Sequence, residues 1–296
     1  MSRPEEFSFR RYLAAKRTVD DRALHRPTLD RLTETVAGRD PLAVIEVAAG
    51  VGTGLQRLLA WDRLPDRLDY TLLDRDATNV DAARKRLSSW ASDVGYAVTR
   101  RDGTLELARG SESVVIRFET ADALAYADQV DGRFDLLVGQ AFLDLVDLAD
   151  GLPALFDLVA DGGLAYFPIT FDGVTAFSPT PDPELERRVL DAYHATMDAP
   201  DRAGGSTTGR ELLAAVPEAG GEVVAAGGSD WVVHPPYPVD EAYFLHHLVD
   251  TVAGAVDGDV DDADRRTWAA DRHDAVASGE LRFLAHNVDV LARVVR

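Results

Sequence analysis

Five short apolar runs, separated by amphipathic stretches, constrain the fold of this chain more than any other feature. "PLAVIEVA", "DYTLLD", the "VVIRFETAD" that ends residues 96–122, "RFDLLVGQ" and "LAYFPITF" each end in small or polar residues. Their apolar cores are continuous rather than alternating, the pattern of strands buried on both faces of a parallel sheet. Between them "TGLQRLLAWDRL", "ATNVDAARKRLSSWASDV" and "LPALFDLVADGG" read as helices, the last closed by glycine. Strand and helix in alternation predict a doubly wound α/β sheet. Residues 8–36 read as a preceding helical stretch that buries Leu13, Leu24, Leu29, Leu32 and Val36, and residues 96–122 open with a hairpin turned at Asp102-Gly103.

Such sheets bind ligands beyond the carboxyl ends of their strands, where the strand order reverses. The residues just after each run are therefore the informative ones. They are Gly50, Gly52 and Gly54 after the first, Asp74 with Arg75 after the second, Asp122 and Ala123 after the third, and Gln140 to Asp144 after the fourth. A dinucleotide fingerprint needs a third glycine three positions after the second, so that helix and strand pack closely. That position here is Leu55. The loop "VIEVAAGVGTG" instead alternates its glycines and carries Glu46 four residues before the first of them.

With Asp74 lying 22 residues after Gly52, the stretch resembles motifs I and II of the class I S-adenosylmethionine-dependent methyltransferases. "FETADALAYA", "GRFDLLVGQAFLDL" and "LVADGGLAYF" are similar to the family's later motifs, so the resemblance spans residues 40–170. One position departs from the pattern: the family commonly has glycine two residues after the acid, and this chain has Ala48. The resemblance implies a Rossmann-like seven-stranded sheet with an antiparallel last strand, and S-adenosylmethionine as cofactor. It further implies that Asp74 accepts from the ribose hydroxyls, that Asp122 and Ala123 meet the adenine, and that Glu46 orients the loop or meets the ligand's ammonium through water. Gln140 completes the expected cofactor set.

The remaining stretches assign the rest of a single domain of residues 1–296. Residues 1–38 form a helical lid, 40–170 the cofactor core, and 171–296 the remaining strands, "EVVAAGGSDWVVHP" and a closing "ELRFLAHNVDVLARVV", with helical cap insertions around 183–198 and 240–278. Candidates to handle an acceptor are few. Tyr193 and His194 lie on an inserted helix, Asp144 follows the fourth strand, and Trp231 and His234 follow the sixth. In the lid Tyr12, Lys16 and Val19 share one side of a helix, so Lys16 could fold over the pocket and pair with a carboxylate. His246 and His247 point about 100° apart on a helix, which suits no two-ligand grip, so no metal is expected.

Charge narrows the partners. With 51 acidic against 31 basic residues the net charge is -20, which disfavours a nucleic-acid backbone. No motif of the amino-methylating nucleic-acid enzymes follows "FDLLVGQAF". Only Lys16 and Lys85 are lysines, and a dispersed carboxylate surface poor in lysine resembles proteins of salt-loving archaea. Cysteine is absent, which removes disulfides and thiolate chemistry, and no apolar run reaches the roughly 18 residues of a membrane span. A cytoplasmic enzyme that methylates a small molecule is expected. The rival readings are a dinucleotide-dependent oxidoreductase and a non-catalytic cofactor-binding or partner-binding domain.

Overall fold

The computed structural model describes residues 3–4, 6–130 and 133–295. The helical stretch at the start divides into α1 (Phe9–Ala15), α2 (Arg17–Ala23) and α3 (Arg26–Val36). It breaks at Leu24, whose extended backbone turns the chain, and Pro27 then opens α3, where a missing amide costs nothing. Residues 1, 2 and 5 of the expected lid lie outside the described residues. The alternating part follows as β1 (Leu42–Glu46), α4 (Thr53–Ala60), β2 (Arg67–Asp74) and α5 (Ala77–Asp93). Next come the hairpin β3 (Ala97–Arg101) and β4 (Thr104–Arg109), then β5 (Glu112–Thr120), α6 (Ala123–Ala127) and β6 (Phe134–Val138). A 3-10 turn at Leu143–Leu145 precedes α7 (Leu148–Asp157) and β7 (Val159–Ser178). The last third is α8 (Pro183–Met197), α9 (Thr208–Glu218), β8 (Gly221–Gly228), β9 (Trp231–Val233), α10 (Glu241–Ala255), α11 (Asp262–Ser278) and β10 (Arg282–Val294).

Ten strands form one sheet in the order β3-β4-β5-β2-β1-β6-β7-β10-β8, with β9 paired to β10. From β5 to β7 the neighbours are parallel, whereas β10 runs antiparallel to both β7 and β8. Seven of these strands match the expected sheet. The other three are the hairpin, which extends the sheet past β5, and β9, which arises because residues 221–234 break at Ser229-Asp230. Asp102 and Gly103 turn the hairpin with φ of 47° and 82°, both left-handed as a two-residue turn requires. The glycine pair expected to close α7 sits inside β7 instead. Gly162 has φ 73° and takes up a bulge, since Phe134 pairs with Val159 while Leu136 pairs with Leu164.

Helices α3, α4 and α5 bury one face of the sheet around Leu29, Leu32, Leu55, Leu87 and Tyr70. On the other face α6, α7 and α9 pack around Leu137, Leu152, Phe156, Phe167 and Leu212. A third apolar cluster gathers α8, α10 and α11 against the long outer ends of β7 and β10, through Phe177, Phe244, Trp268 and Phe283. The chain moves to opposite sides of β1 when it forms β2 and when it forms β6, so the strand order reverses between β1 and β6. A cavity opens there. Among the described residues no helix is long and apolar enough to cross a membrane.

Candidate active site

The loop between β1 and α4 owes its glycines to its backbone. Ala48, Gly50 and Gly52 have φ of 49°, 54° and 75°, so every second residue is left-handed. Glycine adopts that region without a Cβ penalty. Ala48 adopts it at a cost on the order of 1 kcal/mol, which makes it the strained member of the set. The loop is stitched to its neighbours by Ala49 N–H donating to the Leu73 carbonyl at 3.0 Å and by Gly50 N–H donating to Asp74 Oδ2 at 2.8 Å. Gly54 is needed for another reason. A Cβ placed there would collide with the carboxylate of Glu46, which therefore lies against the first turn of α4.

Glu46 is the floor of the site. It is 3% exposed, accepts from the Tyr70 hydroxyl at 2.7 Å, and accepts from the Leu55 amide in the first turn of α4. Burial pushes its carboxyl up to about 7, against the Tyr70 hydrogen bond and Arg57, which favour the charged form.

A cavity of about 660 Å³ stands above this floor. Of the expected cofactor residues, Glu46, Ala48, Gly50, Gly54, Asp74, Arg75, Asp122, Ala123 and Gln140 line it. Gly52 does not; it caps α4 and faces Leu87 and Ala83 of α5. Asp74, only 6% exposed, is committed to the frame as well as to the cavity. Its carboxylate accepts from the amides of Gly50 and Asp76 and from Asn79 Nδ2 at 3.2 Å. Asp122 caps α6, with Oδ1 accepting from the Leu124 and Ala125 amides.

Gln140 belongs to a buried polar network that the sequence did not disclose. Its Oε1 accepts from Arg57 Nη1 at 2.6 Å and its Nε2 donates to Asp20 Oδ2 at 2.7 Å. Asp20 is fully buried. It also accepts from Trp231 Nε1 at 2.9 Å and pairs with Lys16 at 3.3 Å and with Arg57 at 3.8 Å, while Arg57 reaches Asp21 too. Lys16 thus already has a carboxylate in the next turn of its own helical segment, while it also lines the cavity where the pairing with a ligand was expected. Trp231 likewise holds Asp20 and packs its ring beside the Lys16 ammonium; it is not a cavity residue. No local signal disclosed the network: Arg57 stands about 200° around α4 from Leu55, away from the stripe of Leu55, Leu58 and Leu59, where the pattern alone assigns it to solvent.

The cover over the cavity is the N-terminal segment. Phe9, Leu13 and Lys16 line it, with Ala203 from the loop before α9. The insertions α8, α10 and α11 contribute no lining residue and instead pack behind α1, because their apolar faces bury one another. Tyr12 points to that side, stacked on His247 at 4.3 Å and Phe244 at 5.6 Å. The segment is fastened to α10 by Arg11 on Asp240 and by Thr18 and Arg22 on Glu241.

The weaker catalytic candidates separate. His194 hydrogen-bonds Thr175 at 3.0 Å and packs on Phe171, outside the cavity lining, and burial lowers its pKa. Its ring is therefore neutral, but its place outside the lining separates it from the residues gathered around the cavity. His234 caps nothing in the cavity and bonds the Pro235 carbonyl. Asp144 sits between Phe142 and Leu145, both of which line the cavity, and its Oδ1 is buried without a hydrogen-bond partner among the described residues. Burial pushes its carboxyl up to about 6, partly offset by Lys16. Burial together with the Asp144 charge raises the Tyr193 hydroxyl to about 12, and the same charge acts on Tyr12. Asp144, Lys16, Tyr12 and Tyr193 therefore form one electrostatic cluster, which the sequence had placed on three unrelated segments. His246 bonds His273 across α10 and α11 at 2.9 Å.

No family model and no curated protein sequence matches this chain. Solved structures do. The YcgJ protein from Bacillus subtilis is 14% identical, with 92% of this chain and all of that chain aligned at a TM-score of 0.50. The chain shares that structure's fold, a Rossmann-like α/β sheet that here ends in an antiparallel strand. Also similar are a geranyl diphosphate methyltransferase in complex with SAM, 11% identical over 99% of this chain and 92% of that one with a TM-score of 0.47, and the geranyl diphosphate C-methyltransferase from Streptomyces coelicolor A3(2). The latter is 13% identical over 99% of this chain and 86% of that one, with a TM-score of 0.46.

Proposed function

We propose that this protein is an S-adenosylmethionine-dependent methyltransferase acting on a small molecule. The observation that carries the reading is Glu46 against the first turn of α4. In a dinucleotide enzyme the helix N-terminus after the first strand receives the pyrophosphate. Here an acid already takes that place, accepting the Leu55 amide and filling the space a side chain at Gly54 would need. The acid occupies the place a phosphate would take and repels one wherever it is ionised, so the site suits a cofactor that carries no phosphate and bears positive charge.

When bound, that cofactor supplies an electrophilic methyl on a sulfonium. The chain's task is to hold it, align an acceptor and exclude water. Asp74 keeps the Gly50 amide in place and presents a carboxylate to the ribose hydroxyls, while Asp122 and Ala123 address the adenine and Arg75 and Gln140 the flanks. Phe9, Leu13, Phe142 and Leu145 are among the large apolar side chains of the lining, which favours an acceptor with an apolar body. We take Asp144, which neighbours the lining residues Phe142 and Leu145 without itself lining the cavity, as the group that accepts a proton from the acceptor. The wild-type kcat is expected to rise through about pH 6, and replacement of Asp144 by Asn should leave cofactor affinity unchanged and remove that rise. A preserved pH profile would assign the proton to another group.

The direct test is calorimetry with S-adenosylmethionine, S-adenosylhomocysteine and NAD. Binding of both adenosyl compounds and not NAD is expected, and NAD binding alone would return the chain to the oxidoreductases. A bound cofactor with no acceptor found in a broad screen would favour a binding domain. On the same footing we read residues 1–296 as one cytoplasmic domain with a salt-adapted surface. Equal unfolding temperatures in dilute buffer and in molar KCl would sink that last point.

A further inference from the structure

We propose that the groove between α1 and α5 binds a phosphate-type dianion, and that its occupation fastens α1 over the neighbouring cavity. The chain carries a net charge of -20, yet this groove of about 470 Å³ is lined by Arg10, Arg11, Lys85 and Arg86. Lys85 is one of only two lysines. The one acid in the lining, Asp81, is paired to Arg84 at 3.2 Å.

These cations are not neutralised in the manner of their neighbours. Arg11 is held by Asp240, whereas Arg10 and Lys85 are exposed and make no direct hydrogen bond or ion pair among the described residues, Asp76 acting on Arg10 only through its charge. Arg86 is half-buried, and its guanidinium is fixed by Gln56 Oε1, a neutral acceptor, at 3.1 and 2.9 Å. Burial and the nearby Arg17 charge disfavour its charged form, with Asp21 as the acidic neighbour that opposes them. A half-desolvated guanidinium aimed by a neutral side chain and flanked by two exposed cations without a direct ion pair lacks one component, a multiply charged anion. The chain's net charge of -20 opposes a long polyanion, so the ligand is small: a free phosphate or diphosphate, or that group on a larger molecule.

The second half of the proposal comes from the two faces of α1. Arg10 and Ala14 face the groove, whereas Phe9, Leu13 and Lys16, at the complementary helical spacing, line the large cavity. Val51, at the tip of the glycine loop, lines both. An anion gripped by Arg10 from α1 and by Lys85 and Arg86 from α5 would tie the cover to the body of the domain. This coupling rests on the reading that the cavity takes an adenosyl cofactor.

The test is calorimetric titration of the whole chain with inorganic phosphate, diphosphate and phenyl phosphate at low ionic strength, against chloride at matched ionic strength. The wild type should bind, and Arg10→Gln and Lys85→Gln, both exposed substitutions, should each weaken binding roughly tenfold. Phenyl phosphate held more tightly than phosphate identifies one arm of a larger ligand, and equal affinity identifies a free anion; both support the site. Anion affinities unaltered in both variants, or no binding by the wild type, overturn it. S-adenosylhomocysteine affinity should rise with phosphate present, and phosphate affinity by the same factor with S-adenosylhomocysteine present. Unchanged S-adenosylhomocysteine affinity overturns the coupling, whereas failure of that compound to bind at all overturns the cofactor reading and leaves the anion result standing.

Discussion

Replacing Asp20 with alanine is expected to destabilise the protein by about 3–5 kcal/mol and to loosen the N-terminal cover from the cavity. Asp20 is fully buried and is the meeting point of Lys16, Arg57, Gln140 and Trp231. Its removal leaves two cations, Lys16 at 7% and Arg57 at 4% exposure, inside the protein with less negative charge to answer them. Asp21 keeps one contact to Arg57, so Lys16 suffers most. Asp20→Asn retains the shape and can still accept from Trp231, yet it removes the charge. It should therefore be nearly as damaging if electrostatics dominate, and much milder if packing does. Urea unfolding of the three proteins measures the loss, and amide exchange over residues 9–23 reports the loosening. A loss below 1 kcal/mol for Asp20→Ala would mean that the network contributes little.

That network marks the limit of what the sequence disclosed. The strands were legible because burial on both faces imposes a continuous apolar run, and the Asp102-Gly103 turn because few residue pairs accept two left-handed positions. The places of Glu46, Asp74 and Asp122 followed from the ends of those runs. Residues 20, 57, 140 and 231 meet only because α2 lies across the carboxyl edge of the sheet, and no local periodicity encodes such a crossing. Gly54 shows a subtler gap. It was legible as a residue that must be small, but the atom it makes room for is the Glu46 carboxylate, which a linear reading assigned to the same loop without seeing that the two touch. The insertions were legible as helices, but their faces were not. Seen alone, the apolar side of α10 could cover a pocket as well as it covers α11 and α8.

Glu46→Gln should abolish the pH dependence that this one side chain imposes on stability. Burial raises its carboxyl from an ordinary 4.5 to about 7 in the folded protein. Between those values the folded state holds a proton that the unfolded chain releases, so stability falls as pH rises. The contribution is complete below about 4.5 and is lost by the time the pH has passed 7. The shift corresponds to about 3 kcal/mol. Carboxylates such as Asp76, Glu184 and Asp262, held below their ordinary range by hydrogen bonds from Thr78, Arg187 and Arg265, act in the opposite sense. The total curve mixes both kinds. The difference between wild type and Glu46→Gln removes that background. Measured by urea unfolding, the variant should gain on the wild type steadily from pH 4.5 to pH 7 and hold a constant offset above it, Tyr70 and the Leu55 amide setting where that offset lies. The same proton should appear in ligand binding. A positively charged cofactor above Glu46 favours the carboxylate, so its affinity for the wild type should rise with pH through this window, while the variant's stays flat. A stability difference independent of pH would mean that Glu46 is already ionised in the empty site, held so by Tyr70, Arg57 and the helix N-terminus together.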